Sequence, residues 1–161
     1  MSHLSDSLAT LTRNWTDDMA ILTPWLRVAK NELGVTEIPG AADEPRITEY
    51  MESTSHPIPP HHVDEIPWCS AFVNWVMEHS GYPGTGSAWS QSWKNWGIPL
   101  TLPKTGAIVI FSWGGNSGHV GFVWDWDEGG MYVLGGNQSD SVNITYFRYT
   151  HVVGYRWPEG A

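Results

Sequence analysis

Residues 65–76 read EIPWCSAFVNWV, from Glu65 to Val76, and contain the single cysteine of the chain, Cys69. Phe72, Val73, Val76 and Met77 share one face at helical spacing, and Gly81 stands just past the run. That pattern predicts an amphipathic helix over Cys69–His79 with its N-terminus at about Trp68–Ser70. A cysteine in that place has two readings. It is a small buried hydrophobe, the commoner fate of a lone cysteine, or it is a nucleophile whose thiolate is favoured by the positive end of the helix. The stretch alone leaves both open.

Working outward, the segment before the helix is STSHPIPPHHVDEIP, and its prolines make it a loop. Further back, Trp25, Val28, Ala29 and Leu33 follow helical spacing behind Pro24, and Gly34 suits the helix end. Residues 35–45 form a loop, and a short helix is expected over Ile47–Met51. Residues 1–23 are polar and weakly patterned, a leader or loose helix, which leaves 24–161 as a single catalytic-sized domain. Downstream, SAWSQSWKNWG (87–97) reads as one more short helix ended by Gly97.

After residue 100 the apolar period changes from 3.6 to 2. Strands are predicted at 107–113, 119–126, 131–137, 142–149 and 152–157, with turns at Gly114-Gly115-Asn116, Glu128-Gly129-Gly130 and Gln138-Ser139-Asp140. Helices followed by an antiparallel meander make an α+β layout.

Composition narrows the function classes. The formal charge is −9 with 8 Lys and Arg, which excludes the basic footprint of a nucleic-acid binder. No apolar run approaches the ~20 residues of a membrane span. The N-terminus lacks a basic segment followed by an apolar one, so the chain is expected to be made in the cytoplasm without a signal peptide. One cysteine rules out an internal disulfide and a Cys-rich zinc site. The 11 tryptophans exceed what a core of this size needs, so some are expected to line a groove. No cofactor is implied.

A nucleophilic cysteine needs a base and a group to orient that base. His119, in Ser117-Gly118-His119-Val120-Gly121-Phe122, opens a strand between glycines that permit close approach. Asn137, in Leu134-Gly135-Gly136-Asn137-Gln138, closes the next strand. Adjacent strand ends place an Asn carbonyl where it can accept the imidazole proton and fix the tautomer. Asp125 and Glu128 are rivals for that third place. On spacing alone, the order Cys, His, Asn is equally compatible with structural roles for all three.

Taken together, PWCSAFVNWVM, GTGSAWSQSWKNWG, PKTGAIVIFS, GHVGFV and LGGNQSDSVNI resemble the NlpC-like/CHAP group of papain-like cysteine peptidases and amidases. They are most similar to a small subfamily found in phage lysis proteins and secreted antibacterial toxins. The resemblance covers residues 24–157. It implies a papain-like fold, with the Cys helix packed on a C-terminal antiparallel sheet of five to six strands, and hydrolysis of amide bonds in peptidoglycan. Residue by residue, it implies Cys69 as nucleophile, His119 as base and Asn137 as the third group, a position filled in the family by His, Asn, Asp, Glu or Gln. The acidic residue often found before that position is replaced here by Gly135 and Gly136. The expected chemistry is acyl transfer, with the N–H of Cys69 as one oxyanion donor.

Around that centre, Trp68, Trp113 and Trp89 are expected to wall the cleft. Glu37, with Asn31 and Arg46, is expected to meet the amines and carboxylates of the stem peptide. His61, His62, Asp64 and Glu65 suggest metal ligands by type, but a Pro-flanked loop is a poor frame for them and no metal is expected. The partner is peptidoglycan, with no nucleic acid and no membrane. The chain is expected to act as a monomer after delivery through a holin or a secretion machine, with a cognate immunity protein in the second case. The rival readings are a non-catalytic wall-binding module on the same fold and an amidase acting on other amides.

Overall fold

Pro24 and Pro45 each open a helix, because a fixed φ suits the first turn and the missing N–H has no partner to lose there. The computed structural model describes residues 22–38, 44–55 and 67–161. Helix α1 is Pro24–Lys30, capped by Thr23, whose hydroxyl accepts from the N–H of Leu26 at 3.2 Å. Helix α2 is Pro45–Glu52, capped by the carboxylate of Glu44 on the N–H of Arg46 at 2.9 Å. α1 stops short of the predicted end: Asn31–Gly34 forms a turn, Leu33 is exposed, and Gly34 takes φ +99°. Leu22 is packed into the core, whereas residues 1–21 of the expected leader lie outside the described residues.

Helix α3 spans Cys69–His79, as its spacing predicts. Residues Cys69 to Met77 are all buried, so α3 is covered on every side rather than on one face. It packs against α1, α2 and two strands of the sheet. Phe72, Trp75 and Trp68 gather around the ring of Tyr50 from α2. The predicted helix at 87–97 is a 3-10 turn, Ser90–Asn95, which buries Trp93.

The strands are β1 (Ile98–Leu100), β2 (Ile108–Gly114), β3 (Ser117–Trp126), β4 (Gly130–Gln138), β5 (Ser141–Arg148) and β6 (Val152–Trp157). They form one antiparallel sheet in the order β1-β6-β2-β3-β4-β5. β1 is the strand that period-2 reading misses. It has three residues, and Pro99 confines it to a sheet edge.

Alternation along the strands separates two apolar layers. Ile108, Ile110, Val120, Phe122 and Leu134 face the helices. Val109, Phe111, Val123, Met131 and Val133 face the opposite side, where Phe147 and Tyr155 join them. The fold is thus α+β, with the cysteine helix laid against an antiparallel sheet.

Candidate active site

The first residue of α3 is Cys69, held 4% exposed. No side chain caps this helix, so its first N–H groups are free to point at the sulfur's surroundings. The helix start is tied down from below. Ser70 Oγ donates to the carbonyl of Ser87 at 2.7 Å and accepts from Trp93 Nε1 at 2.8 Å. Asn74 binds the carbonyls of Ser70 and Ser87 and accepts from the N–H of Gly86.

His119 lies near the start of β3, 7% exposed, on the sheet face away from α3. Its ring stacks on Phe147 at 5.3 Å and lies beside Phe111. The β3–β4 pairing runs from Trp126↔Met131 to Phe122↔Leu134 and ends there, short of His119. Beyond the last pair, the N–H of Val120 and the ring of His119 both hydrogen-bond to the Cys69 sulfur. Gly118 is needed here: a Cβ on it would fall 2.2 Å from both Gln91 Nε2 and the carbonyl of Phe111, which bond to each other at 2.8 Å.

The side chain hydrogen-bonded to His119 is Gln138, where Asn137 was expected. His119 Nε2 lies 3.0 Å from Gln138 Oε1. The reason is a bulge. On β4, Val133 and Gly135 share the face of His119, and regular alternation would put Asn137 there next. The register instead shifts between Gly135↔Asn143 and Gln138↔Ser141, so β4 spends three residues where β5 spends two. Asn137 absorbs the extra residue at φ +58°, and the parity of everything after it reverses. Gln138 arrives on the face that Asn137 was expected to occupy, and Asn137 is left half-buried in the groove wall.

The Gln138 amide can face His119 in one orientation. Its Nε2 lies 3.1 Å from the carbonyl of Val133 and 2.9 Å from both oxygens of Asn143. All three are acceptors, so Oε1 points to the ring and His119 Nε2 carries a proton. That leaves Nδ1 for Cys69. Burial of Cys69 opposes ionisation, but the charge and hydrogen bond of His119, with the N–H groups of Val120 and Ser70, outweigh it and lower the thiol. For His119, burial is likewise overcome by the sulfur and by Gln138, and its pKa is raised. Both shifts favour a thiolate–imidazolium pair.

Two hollows flank the pair. Cys69 opens onto a cavity of about 290 Å³ lined by Pro67, Ala88, Trp89, Ser90, Asn116 and Gly118. His119 opens onto another of about 330 Å³ lined by Trp113, Asn137, Gln138, Thr145 and Phe147. Trp89, 48% exposed, lines the first and Trp113, 45% exposed, lines the second. Trp89 is fixed by its Nε1, which donates to the carbonyl of Asn116 at 2.9 Å.

Other expected wall residues turn elsewhere. Trp68 is fully buried, stacked on Tyr50, and its Nε1 donates to Glu37 Oε1 at 2.6 Å. The large ring beside the nucleophile serves the core, and Glu37 is engaged by it. Arg46 pairs with Glu32 and Glu49, and Asn31 caps α1 from an exposed position. Asp125 accepts from the N–H of Trp126 far up β3, and Glu128 is exposed at the opposite end of that strand. His79 stacks on Trp75, and His151 meets the edge of Trp113. His56, His61, His62, Asp64 and Glu65 lie outside the described residues. Among the described residues, no group of three His, Cys, Asp or Glu side chains is placed to hold a metal ion.

The segment from residue 61 to 137 matches the model of the CHAP domain family. The match includes Cys69 and His119 and ends one residue before Gln138. No curated protein matches the chain. CHAP domains are in general associated with hydrolysis of peptidoglycan. With its cysteine helix against an antiparallel sheet, the matched segment is consistent with the CHAP/NlpC-like, papain-like superfamily.

Proposed function

We propose that the protein is a peptidoglycan hydrolase that cuts an amide bond by covalent catalysis at Cys69. The observation that carries this reading is the linked set Cys69, His119 and Gln138, buried at a helix start and open to a cavity on each side. The Cys69 thiolate attacks the amide carbonyl. The resulting oxyanion takes hydrogen bonds at the N-terminus of α3, where the N–H of Cys69 is the nearest donor by position. His119 gives its Nδ1 proton to the departing amine, and a thioester remains on Cys69. Water, deprotonated by the now neutral His119, attacks the thioester and releases the carboxylic acid and the thiolate. Gln138 keeps the ring oriented and accepts from Nε2 throughout. The cavity beside Cys69 suits the acyl side of the bond, and the one beside His119 suits the amine.

Delivery to the wall belongs to the same proposal. A holin would release the protein as an endolysin, or a secretion machine would inject it as an effector, in which case an immunity protein would cover the cleft. The test is digestion of purified sacculi followed by mass spectrometry of the soluble fragments. Wild type should release fragments ending in a new amine and a new carboxylate at one type of amide, and Cys69→Ala should release none. Equal release by the two proteins, or none by wild type between pH 6 and 9, would refute the proposal. The fragment masses also identify which amide is cut, and tell a wall hydrolase from a module that only binds.

A further inference from the structure

The turn that brings Gln138 to His119 is strained. Asn137, Ser139 and Asp140 all hold φ between +52° and +61°, where non-glycine residues are uncommon. Such residues persist where the surroundings over-determine them. Here the surroundings converge on one side chain of β5. Asn143 Nδ2 donates to the carbonyl of Gln138 at 2.7 Å and to Ser141 Oγ at 2.9 Å. Its Oδ1 accepts from Gln138 Nε2 at 2.9 Å and from Thr145 Oγ1 at 2.6 Å. One amide therefore grips both the backbone and the side chain of Gln138, and closes the turn across the bulge. Every donor and acceptor of Asn143 used here has a partner of the opposite kind, so its own orientation is fixed too.

We infer that Asn143 is a positioning residue that acts through Gln138: it holds the strained turn so that Gln138 Oε1 faces His119 Nε2, and so sets which nitrogen of His119 meets Cys69. The groups around the ring leave few other influences. α3 presents Cys69, β2 presents Phe111, β5 presents Phe147 and β4 presents Gln138. Among the described residues, Cys69 is the titratable group that acts on His119. The inference rests on the thiolate–imidazolium reading of the site, not on the substrate.

The test is the rate of Cys69 alkylation by iodoacetamide as a function of pH, read on the full chain without peptidoglycan. Failure here and failure to release wall fragments are thus separate results. In Asn143→Ala the ring of His119 is no longer held toward Cys69, so the thiolate loses part of the charge and hydrogen bond that favour it. The acid limb of the profile should move up by about one pH unit. In Gln138→Ala the same shift is expected, and adding Asn143→Ala to it should move the limb no further, because the second residue acts only through the first. Thr145→Val, which removes one donor to Asn143 without changing shape, should shift the limb in the same direction by less, and serves if Asn143→Ala does not fold. An unchanged limb in a folded variant, or additive shifts in the double variant, would overturn the inference.

Discussion

The indole of Trp68 donates to the carboxylate of Glu37 across 2.6 Å, and this bond joins the start of the cysteine helix to the segment after α1. Trp68 is fully buried and its N–H takes Glu37 as its partner. A hydrogen bond to a charged acceptor contributes about 1.5–3 kcal/mol, and an orphaned buried donor costs about as much. Glu37→Ala should therefore lower stability by about 2 kcal/mol in urea denaturation. Glu37→Gln keeps an acceptor and should recover most of it. A Glu37→Ala protein with unchanged stability but weakened binding to sacculi would return Glu37 to the substrate rim.

The paired shifts of Cys69 and His119 set a pH dependence. Burial opposes ionisation of Cys69, but the charge and hydrogen bond of His119 outweigh it, so thiolate persists below the usual thiol range. His119 is raised by the sulfur and by Gln138, so it keeps its proton above the usual imidazole range. Fragment release should rise with pH as the pair forms, hold a plateau across neutrality, and fall once His119 loses the proton that the leaving amine needs. In His119→Ala only the N–H groups of Val120 and Ser70 are left to oppose burial, and the thiol rises. Its alkylation at pH 6 should drop by at least tenfold relative to wild type and recover only in alkaline solution. Equal rates for the two proteins at pH 6 would mean that no ion pair exists.

A second network supports the nucleophile from the loop side. Asn74, fully buried on α3, bonds to the carbonyls of Ser70 and Ser87 and to the N–H of Gly86. It thereby fixes the loop that carries Trp89. Gly84 packs so closely that a Cβ there would meet Asn74 Oδ1 at 2.1 Å. Asn74→Ala would leave the Gly86 N–H without this partner, at about 1–3 kcal/mol where water cannot reach, while the Ser87 carbonyl keeps Ser70 Oγ. Its midpoint in urea should fall correspondingly. Crystallography of the variant should show the segment 84–89 displaced, and an unmoved loop would contradict the role.

What could be read from the sequence divides along physical lines. α3, β2, β3 and β4 carry long apolar patterns, and those patterns survive folding because burial produces them. Cys69 and His119 stand out as candidates because Cys69 opens α3 and His119 stands near the start of β3, each beside residues that mark the boundary. Asn137 misses the face that alternation predicts for it because period-2 reasoning has no term for a bulge. The hint was present in LGGNQ, where the next residue offers the same carbonyl on a longer arm. Trp68 could not be assigned by type, since an indole packs in a core or lines a cleft equally well. Its burial depends on α2 and on β4, where a Cβ at Gly136 would lie 2.6 Å from the Trp68 ring.

Trp89 provides the most direct test of the cleft. Its ring is about half exposed beside Cys69, and its Nε1 is already satisfied by Asn116, so its face is free to meet a ligand without losing a hydrogen bond. A flat ring held in place contributes about 0.5–1.5 kcal/mol through contact with a partner surface, beyond simple area burial. Trp89→Ala should weaken binding of catalytically silent Cys69→Ala protein to sacculi by roughly 3–10-fold, from the same energy. The melting temperature should stay within a degree or two, because an exposed side chain adds little to the core. Alkylation of Cys69 in an otherwise wild-type background should also be unchanged, since Trp89 touches neither His119 nor Gln138 in the hydrogen-bond network. Unaltered sacculus binding would remove Trp89 from the substrate surface and leave the wall of the cavity to Pro67, Ala88 and Ser90.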